Sequence, residues 1–138
     1  MSEHVAVEVV TPERRVLAVD AAEVVLPGEE GDMGVLAGHA PVVTLLRPGL
    51  VEIRIEDGAE PAHRLFVKGG FAEIAHDKAI LLVEEALDPA AQSLEEVRRR
   101  IREREIDLED ARDAVEAEEA ERDLRWLRAL AEILERSH

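Results

Sequence analysis

The sequence contains no cysteine and no tyrosine, one tryptophan and two phenylalanines, so aromatic residues make up 2% of its 138 positions. Without cysteine there is no disulfide framework, no thiolate zinc site and no cysteine nucleophile. Basic residues are scarce: 17 Lys and Arg stand against 32 Asp and Glu, for a net charge of -15. Such a field repels phosphate backbones and anionic headgroups, which argues against a nucleic-acid partner and against direct membrane binding. No apolar run approaches the roughly 20 residues needed to span a bilayer. The start, Met1-Ser2-Glu3-His4, lacks a basic signal region, which by default places the chain in the cytosol. What is present is an ordinary 46% of apolar residues without a short repeat, which excludes collagen-like, fibrous and wholly disordered chains. The length suits one or two small domains.

From Glu3 to about Glu85 the chain reads as short segments with period-two alternation or β-branched runs. They are Val5 to Val10, Arg15 to Val19, Ala22 to Leu26, Val35-Leu36, Val42 to Leu46, Leu50 to Ile55, His63 to Val67, Phe71 to Ala75 and Ala79 to Val83. Turn signals such as Thr11-Pro12, Pro27-Gly28, Pro48-Gly49, Asp57-Gly58 and Gly69-Gly70 separate them. Strands spaced by about 8–12 residues predict an antiparallel sandwich or barrel, with a hairpin at Asp57-Gly58.

After Leu87 the period changes. Asp88-Pro89 suits a helix start, and Ser93-Leu94-Glu95-Glu96 reads as a capping box. Leu94, Val97, Ile101, Leu108, Ala111 and Val115 recur at steps of three and four, with Arg104 as the polar member of the row. Ala117, Ala120, Leu124, Leu127, Ala131 and Leu134 form a second seam, so an antiparallel helical hairpin is predicted, linked near Asp113 to Glu118, with one continuous long helix as the alternative. Glu95–Arg99, Glu96–Arg100, Glu118–Arg122 and Glu121–Arg125 are favourably spaced ion pairs. Trp126, Leu130 and Ile133 make a further stripe, rotated off the seam, that two helices alone leave exposed and that should dock on the β domain or another protein. The fold class is thus α+β: a β-sandwich over 1–87 and a two-helix hairpin over 88–138.

The chemical motifs are weak. The glycines at 28, 31, 34 and 38 lack a following Gly-Lys-Ser/Thr and read as turn glycines, not a phosphate loop. His4, His39, His63 and His76 show no H-x-x-H or H-E-x-x-H spacing, so no metal is expected. Ser2, Ser93 and Ser137 stand in no recognisable Ser-His-Asp context, and a small hydrolase using Asp32 and His39 is the weakest functional reading. No catalytic residue is assigned. From the residues alone the conclusion is an acidic β domain with a marginal helical hairpin that needs a partner, which also fits a free-standing interaction adapter.

The run Val25-Leu26-Pro27-Gly28-Glu29-Glu30-Gly31-Asp32-Met33-Gly34-Val35-Leu36-Ala37-Gly38-His39-Ala40-Pro41 resembles the signature of the epsilon subunit of F-type ATP synthases, whose mitochondrial counterpart is called delta. Val10-Thr11-Pro12-Glu13-Arg14, Leu46-Arg47-Pro48-Gly49 and Val67-Lys68-Gly69-Gly70-Phe71-Ala72-Glu73-Ile74 agree in order and spacing. The resemblance implies a ten-stranded sandwich attached to the gamma subunit and resting on the c ring, turning with the rotor on the cytoplasmic side of a bacterial inner membrane. It implies a non-catalytic role, and a tail that extends into the catalytic head to restrain ATP hydrolysis. On this reading Glu29, Glu30 and Asp32 are candidate c-ring contacts and His39 a gamma contact. Arg122, Arg125 and Arg128 are candidate contacts to an acidic segment of the beta subunit. Family members that bind ATP carry Ile/Leu-Asp-x-x-Arg-Ala; here Leu87-Asp88 match, but Ala91 and Gln92 replace the arginine and alanine. Ile106-Asp107-Leu108-Glu109-Asp110-Ala111 also lacks the arginine, so ATP is not expected as a ligand and no cofactor is assigned.

Overall fold

Valines at every second position, 5, 7 and 9, point one face of the first strand inward, and the same alternation recurs over Gly49–Arg54, Gly70–Ala75 and Lys78–Val83. The computed structural model describes residues 4–137; Met1-Ser2-Glu3, read above for a signal region, and His138 lie outside it. The strands are β1 (Val5–Val10), β2 (Arg15–Ala21), β3 (Glu23–Gly28), β4 (Gly31–Leu36), β5 (Val42–Leu46), β6 (Gly49–Arg54), β7 (His63–Val67), β8 (Gly70–Ala75), β9 (Lys78–Val83) and β10 (Ala86–Leu87). One hydrogen-bonded sheet runs β10-β7-β6-β3-β5-β8-β9-β1-β2, and β4 pairs with β3 off that path. β3 pairs with β6 through Glu23–Val25 and with β5 only through Gly28, so it passes from one layer to the other and the sheet closes over itself. Val5, Val7, Val9, Val24, Leu26, Val51, Ile53, Ile74 and Leu81 fill the space between the layers. Each is 1% exposed or less. The ten-stranded sandwich followed by two helices is the expected architecture.

Three details differ from the sequence reading. β1 pairs with β9 in parallel, from Ala6–Lys78 to Val10–Leu82, while the other described pairings are antiparallel. A parallel pair needs a long connection, and here the rest of the domain provides it. β4 begins at Gly31, not Val35, because Gly31 to Gly34 gain main-chain partners on β3 that a glycine-rich run does not advertise. The β6–β7 hairpin has a wide loop: the ladder ends at Ile53–His63, and Asp57-Gly58 occupy a turn closed by Ala59 N donating to Glu56 O.

The chain divides into two units, one ending at Asp88 and the other beginning at Pro89. In the second, Asp88-Pro89 open a short 3-10 turn, Pro89–Ala91, rather than the first α-helix. That helix, α1 (Leu94–Glu109), starts where Ser93 Oγ accepts from the Glu96 amide. α2 (Ala114–Arg136) follows a link at Asp110–Asp113, earlier than expected. The link is set by capping: Asp113 Oδ1 accepts from Glu116 N at 2.9 Å, and Glu116 Oε1 accepts from Arg112 N at 2.9 Å. Val115 therefore belongs to α2, where it is exposed, and does not extend the α1 seam. Val97 on α1 and Ala120, Leu124, Leu127, Ala131 and Leu134 on α2 are buried, as the two seams require.

Candidate interaction site

β3 and β4 pair from Glu23–Leu36 to Gly28–Gly31, which leaves Glu29-Glu30 as a two-residue tip. A side chain at 28 would put its Cβ 2.7 Å from Gly31 O, so only glycine closes this hairpin. The tip is tied to β5 by Glu29 N donating to Leu45 O at 2.8 Å and Arg47 N donating to Pro27 O at 2.9 Å. Arg47 then forks: Nη1 donates to Gly28 O and Nη2 to Asp32 Oδ1, both at 2.5 Å. Sequence reasoning did not single out Arg47 as functional, although it lies within a quoted motif. It holds the two parts of the signature together. Glu29, Glu30 and Asp32 are all exposed, and Asp32 is paired with Arg47.

His39 sits beyond the other end of β4. Its backbone N donates to Leu36 O across a turn in which Gly38 has φ +83, and its Nδ1–H donates to Ala40 O at 2.7 Å. From Asp32 to Leu36 the strand alone spans about 13 Å. Asp32 and His39 therefore form no acid–base pair, which removes the geometry a small hydrolase would require. Among the described residues no group of three or more histidines and acids is placed to hold a metal ion.

The helical pair is joined by ionic contacts that run antiparallel: Arg98 with Glu135, Arg104 with Asp123 and Arg128 with Glu105. Arg104, the polar member of the apolar row, donates Nε to Asp123 Oδ2 at 2.8 Å and Nη1 to Asp107 Oδ2 at 3.0 Å. These two carboxylates raise its pKa above the ordinary arginine value. Asp123 Oδ1 also accepts from the Trp126 indole at 3.2 Å, and the Arg100 guanidinium lies 5.0 Å above the Trp126 ring. Trp126 is 4% exposed, Leu130 is buried and Ile133 half-buried, so the stripe is not the open face that the two-seam reading leaves. The apolar arc of α2 is broader than a narrow seam. Arg100 over Trp126 replaces the expected Glu96–Arg100 pair, and Arg99 turns to Glu96 and Glu103 in place of Glu95. Arg122, Arg125 and Arg128 are exposed, with Arg128 held by Glu105. Leu87 closes β10 opposite Phe66 and Asp88 follows it, while Ile106-Asp107 lie within α1 with Asp107 bound to Arg104.

The residues thus build a sandwich with a braced acidic tip and a helical unit laced by ion pairs. Comparison names the assembly. Residues 4–89 match the family described as "ATP synthase, Delta/Epsilon chain, beta-sandwich domain". An ATP synthase epsilon chain of Maricaulis maris is 42% identical over 112 residues, covering 81% of this chain and 77% of that one. The epsilon chain of Rhodospirillum rubrum is 38% identical over 111 residues, covering 80% and 81%. That of Parvibaculum lavamentivorans is 45% identical over 84 residues, where the match spans 62% of the relative's own length. In structure, a chain of the Euglena gracilis mitochondrial ATP synthase (OSCP/F1/c-ring) superposes with a TM-score of 0.83 at 23% identity, covering 97% of this chain and 83% of that one. A chain of the Tetrahymena thermophila mitochondrial ATP synthase central stalk and c-ring gives 0.61 at 15% identity, covering 94% and 96%. At those identities the likeness is one of fold. The chain belongs to the ATP synthase delta/epsilon family, and with it to the non-catalytic subunits of a membrane-associated complex. No helix among the described residues is long and apolar enough to cross a membrane.

Proposed function

We propose that the sandwich joins the gamma subunit to the c ring and turns with them, on the cytoplasmic face of a bacterial membrane, while the helical unit acts as a regulatory tail. The observation that carries the rotor assignment, beyond family membership, is the stapled hairpin: Arg47 fixes Gly28 and Asp32 so that Glu29-Glu30 project at a defined place. A preorganised acidic tip suits the polar loops of a ring. His39, fixed at the far end of β4, is the gamma-side candidate. In the tail, Arg122, Arg125 and Arg128 offer cationic contacts to an acidic segment of beta, with Arg128 leaving Glu105 as the hairpin opens. Trp126, Leu130 and Ile133 are the apolar part of the same docking surface.

The test is ATP hydrolysis by a catalytic complex stripped of its own small rotor subunit, titrated with the full chain and with a chain ending at Ala90. All of the sandwich core lies before that point, so the shorter chain keeps it. Saturable binding by both, with inhibition by the full chain only, is the expected result. Equal activity with both would remove the regulatory tail and leave the rotor role; no binding by either would overturn the rotor role.

A further inference from the structure

Strand register gathers one residue type that is scattered along the sequence. The ladders place Gly28, Leu46, Gly70 and Val83 together at one end of the sandwich, where the Glu29-Glu30 tip projects. At the other end β1, β7 and β9 begin and β4, β6 and β8 finish. All four histidines among the described residues stand at that second end: His4 precedes β1, His39 follows β4, His63 begins β7 and His76 follows β8. Main-chain bonds tie three of their segments together at the β8–β9 turn, where Gly38 N donates to His76 O at 2.7 Å and Ala6 N to Asp77 O at 2.8 Å. His63 stands opposite Ile53, one residue before Arg54, whose carbonyl accepts the Ala22 N–H at 2.8 Å. His4 and His76 are exposed, and His39 and His63 are half-buried.

The fixed charges at this end are unequal. Asp20 on β2, Glu23 on β3, Asp77 in the β8–β9 turn and Glu56, Asp57 and Glu60 in the β6–β7 loop are acidic. Against these six stand Lys78 and Arg54, and Arg54 is paired with Glu23. The next charges inward, Arg64 and Glu52, pair with each other and cancel. Protons on the four imidazoles would balance the excess of four acids. Imidazole is the side chain whose ordinary charge change falls between about pH 5 and 8. The opposite end, with Glu29, Glu30, Asp32, Arg47 and Lys68, holds no described histidine, so its charge is constant over that interval. We infer that the histidine end is a proton-responsive contact surface, which holds a basic partner segment at alkaline pH and loosens it on acidification. The inference rests on the rotor reading above, whose gamma-side candidate His39 lies at this end, and adds its regulation. Acids outnumber cations here three to one, so a basic segment complements the deprotonated surface. A second copy of this chain would set acid against acid in a protein whose net charge is -15. Leu36, 55% exposed, adds an apolar contact beside His39, whose N–H its carbonyl accepts.

The experiment measures affinity of the full chain for the stripped catalytic complex that retains gamma, at about pH 8 and about pH 6. Parent affinity should fall about fivefold or more on acidification at low salt, and by less at high salt. A variant combining His4→Gln, His63→Gln and His76→Gln keeps His39. It should bind as the parent does at alkaline pH, with an unchanged unfolding midpoint in circular dichroism, and lose most of the fall on acidification. His76→Lys fixes a positive charge in the turn and should weaken binding several-fold at alkaline pH. Parent affinity that is constant or rises on acidification would overturn the inference while leaving the rotor role intact. An equal fall in the triple variant would assign the pH dependence to the partner and overturn the inference as well. Unchanged affinity of His76→Lys at alkaline pH would overturn the basic occupant. No binding by the parent at either pH would overturn the rotor role itself.

Discussion

Replacing Asp123 should loosen the helical unit more than its place on a helix flank suggests. Its Oδ2 takes Arg104 Nε at 2.8 Å and Nη2 at 2.7 Å, and its Oδ1 takes the Trp126 indole at 3.2 Å. With 36% of its side chain exposed and 29% of Arg104's, the pair lies between a surface bridge and a buried one. A surface pair contributes about 0.2–1 kcal/mol, and a hydrogen bond to a charged group about 1.5–3 kcal/mol. Discounted for exposure, Asp123→Ala should cost about 1.5–2 kcal/mol, leaving Arg104 with Asp107 alone and the indole without this acceptor. Asp123→Asn keeps an oxygen for the indole but removes the charge, and should cost roughly 1 kcal/mol. A double-mutant cycle with Arg104→Ala should return a coupling of about 0.5–1 kcal/mol. Trp126 is the sole tryptophan and there is no tyrosine, so its emission during urea unfolding reports this unit without a label. Variants within about 0.3 kcal/mol of the parent, or a coupling near zero, would refute the clasp.

Arg47→Ala removes both arms of the hairpin brace and should cost about 1–2 kcal/mol in urea denaturation, with faster amide exchange at Gly31 and Asp32 than at Val24. Gly70→Ala places a Cβ 2.1 Å from Leu82 O at φ +146 and should destabilise the sandwich by about 3 kcal/mol or more, read as a collapse of the sandwich transition in circular dichroism. The Arg99 hydrogen bond holds the Glu96 carboxyl below its ordinary pKa. A depressed folded-state pKa contributes stability that is present above the unfolded value of about 4.3 and is lost as pH falls from there through the folded value. The urea midpoint of the Trp126 transition should therefore fall in that acid range, and Glu96→Gln should flatten the part of the fall that belongs to this pair.

How far the sequence carries follows from which forces act locally. Strands such as β1, whose bounds Val5 to Val10 match the reading, declare themselves by alternation, because one face packs on the core and the other is less covered. β4 does not, since glycines have no side chains to alternate and its existence rests on main-chain bonds to β3. The parallel β1–β9 pair is equally silent, being a contact between the two ends of a domain. The helix link could have been placed from Asp113-x-x-Glu116, the same S/T/D-x-x-E logic that located Ser93. Continuing the apolar row through Ala111 to Val115 concealed it.

The site shows the same division between local and long-range information. Glu29 and Glu30 could be read from the sequence as a turn, but the device that aims them is Arg47, whose partners Gly28 and Asp32 lie 19 and 15 residues away in sequence. Asp32, taken from the sequence as one of three equivalent acids, has a different role once Arg47 neutralises it. β5 is the extreme case. Val43 and Leu45 look like the core half of an alternating strand until register places them opposite Glu73 and Phe71, on the face that Ala72 and Ile74 turn away from. In a sandwich the hydrophobic period says that a strand has two faces, while pairing says which is covered. For a strand apolar on both faces, as β5 is at Val43 and Leu45 on one and Val42 and Leu46 on the other, pairing alone therefore decides which face is covered.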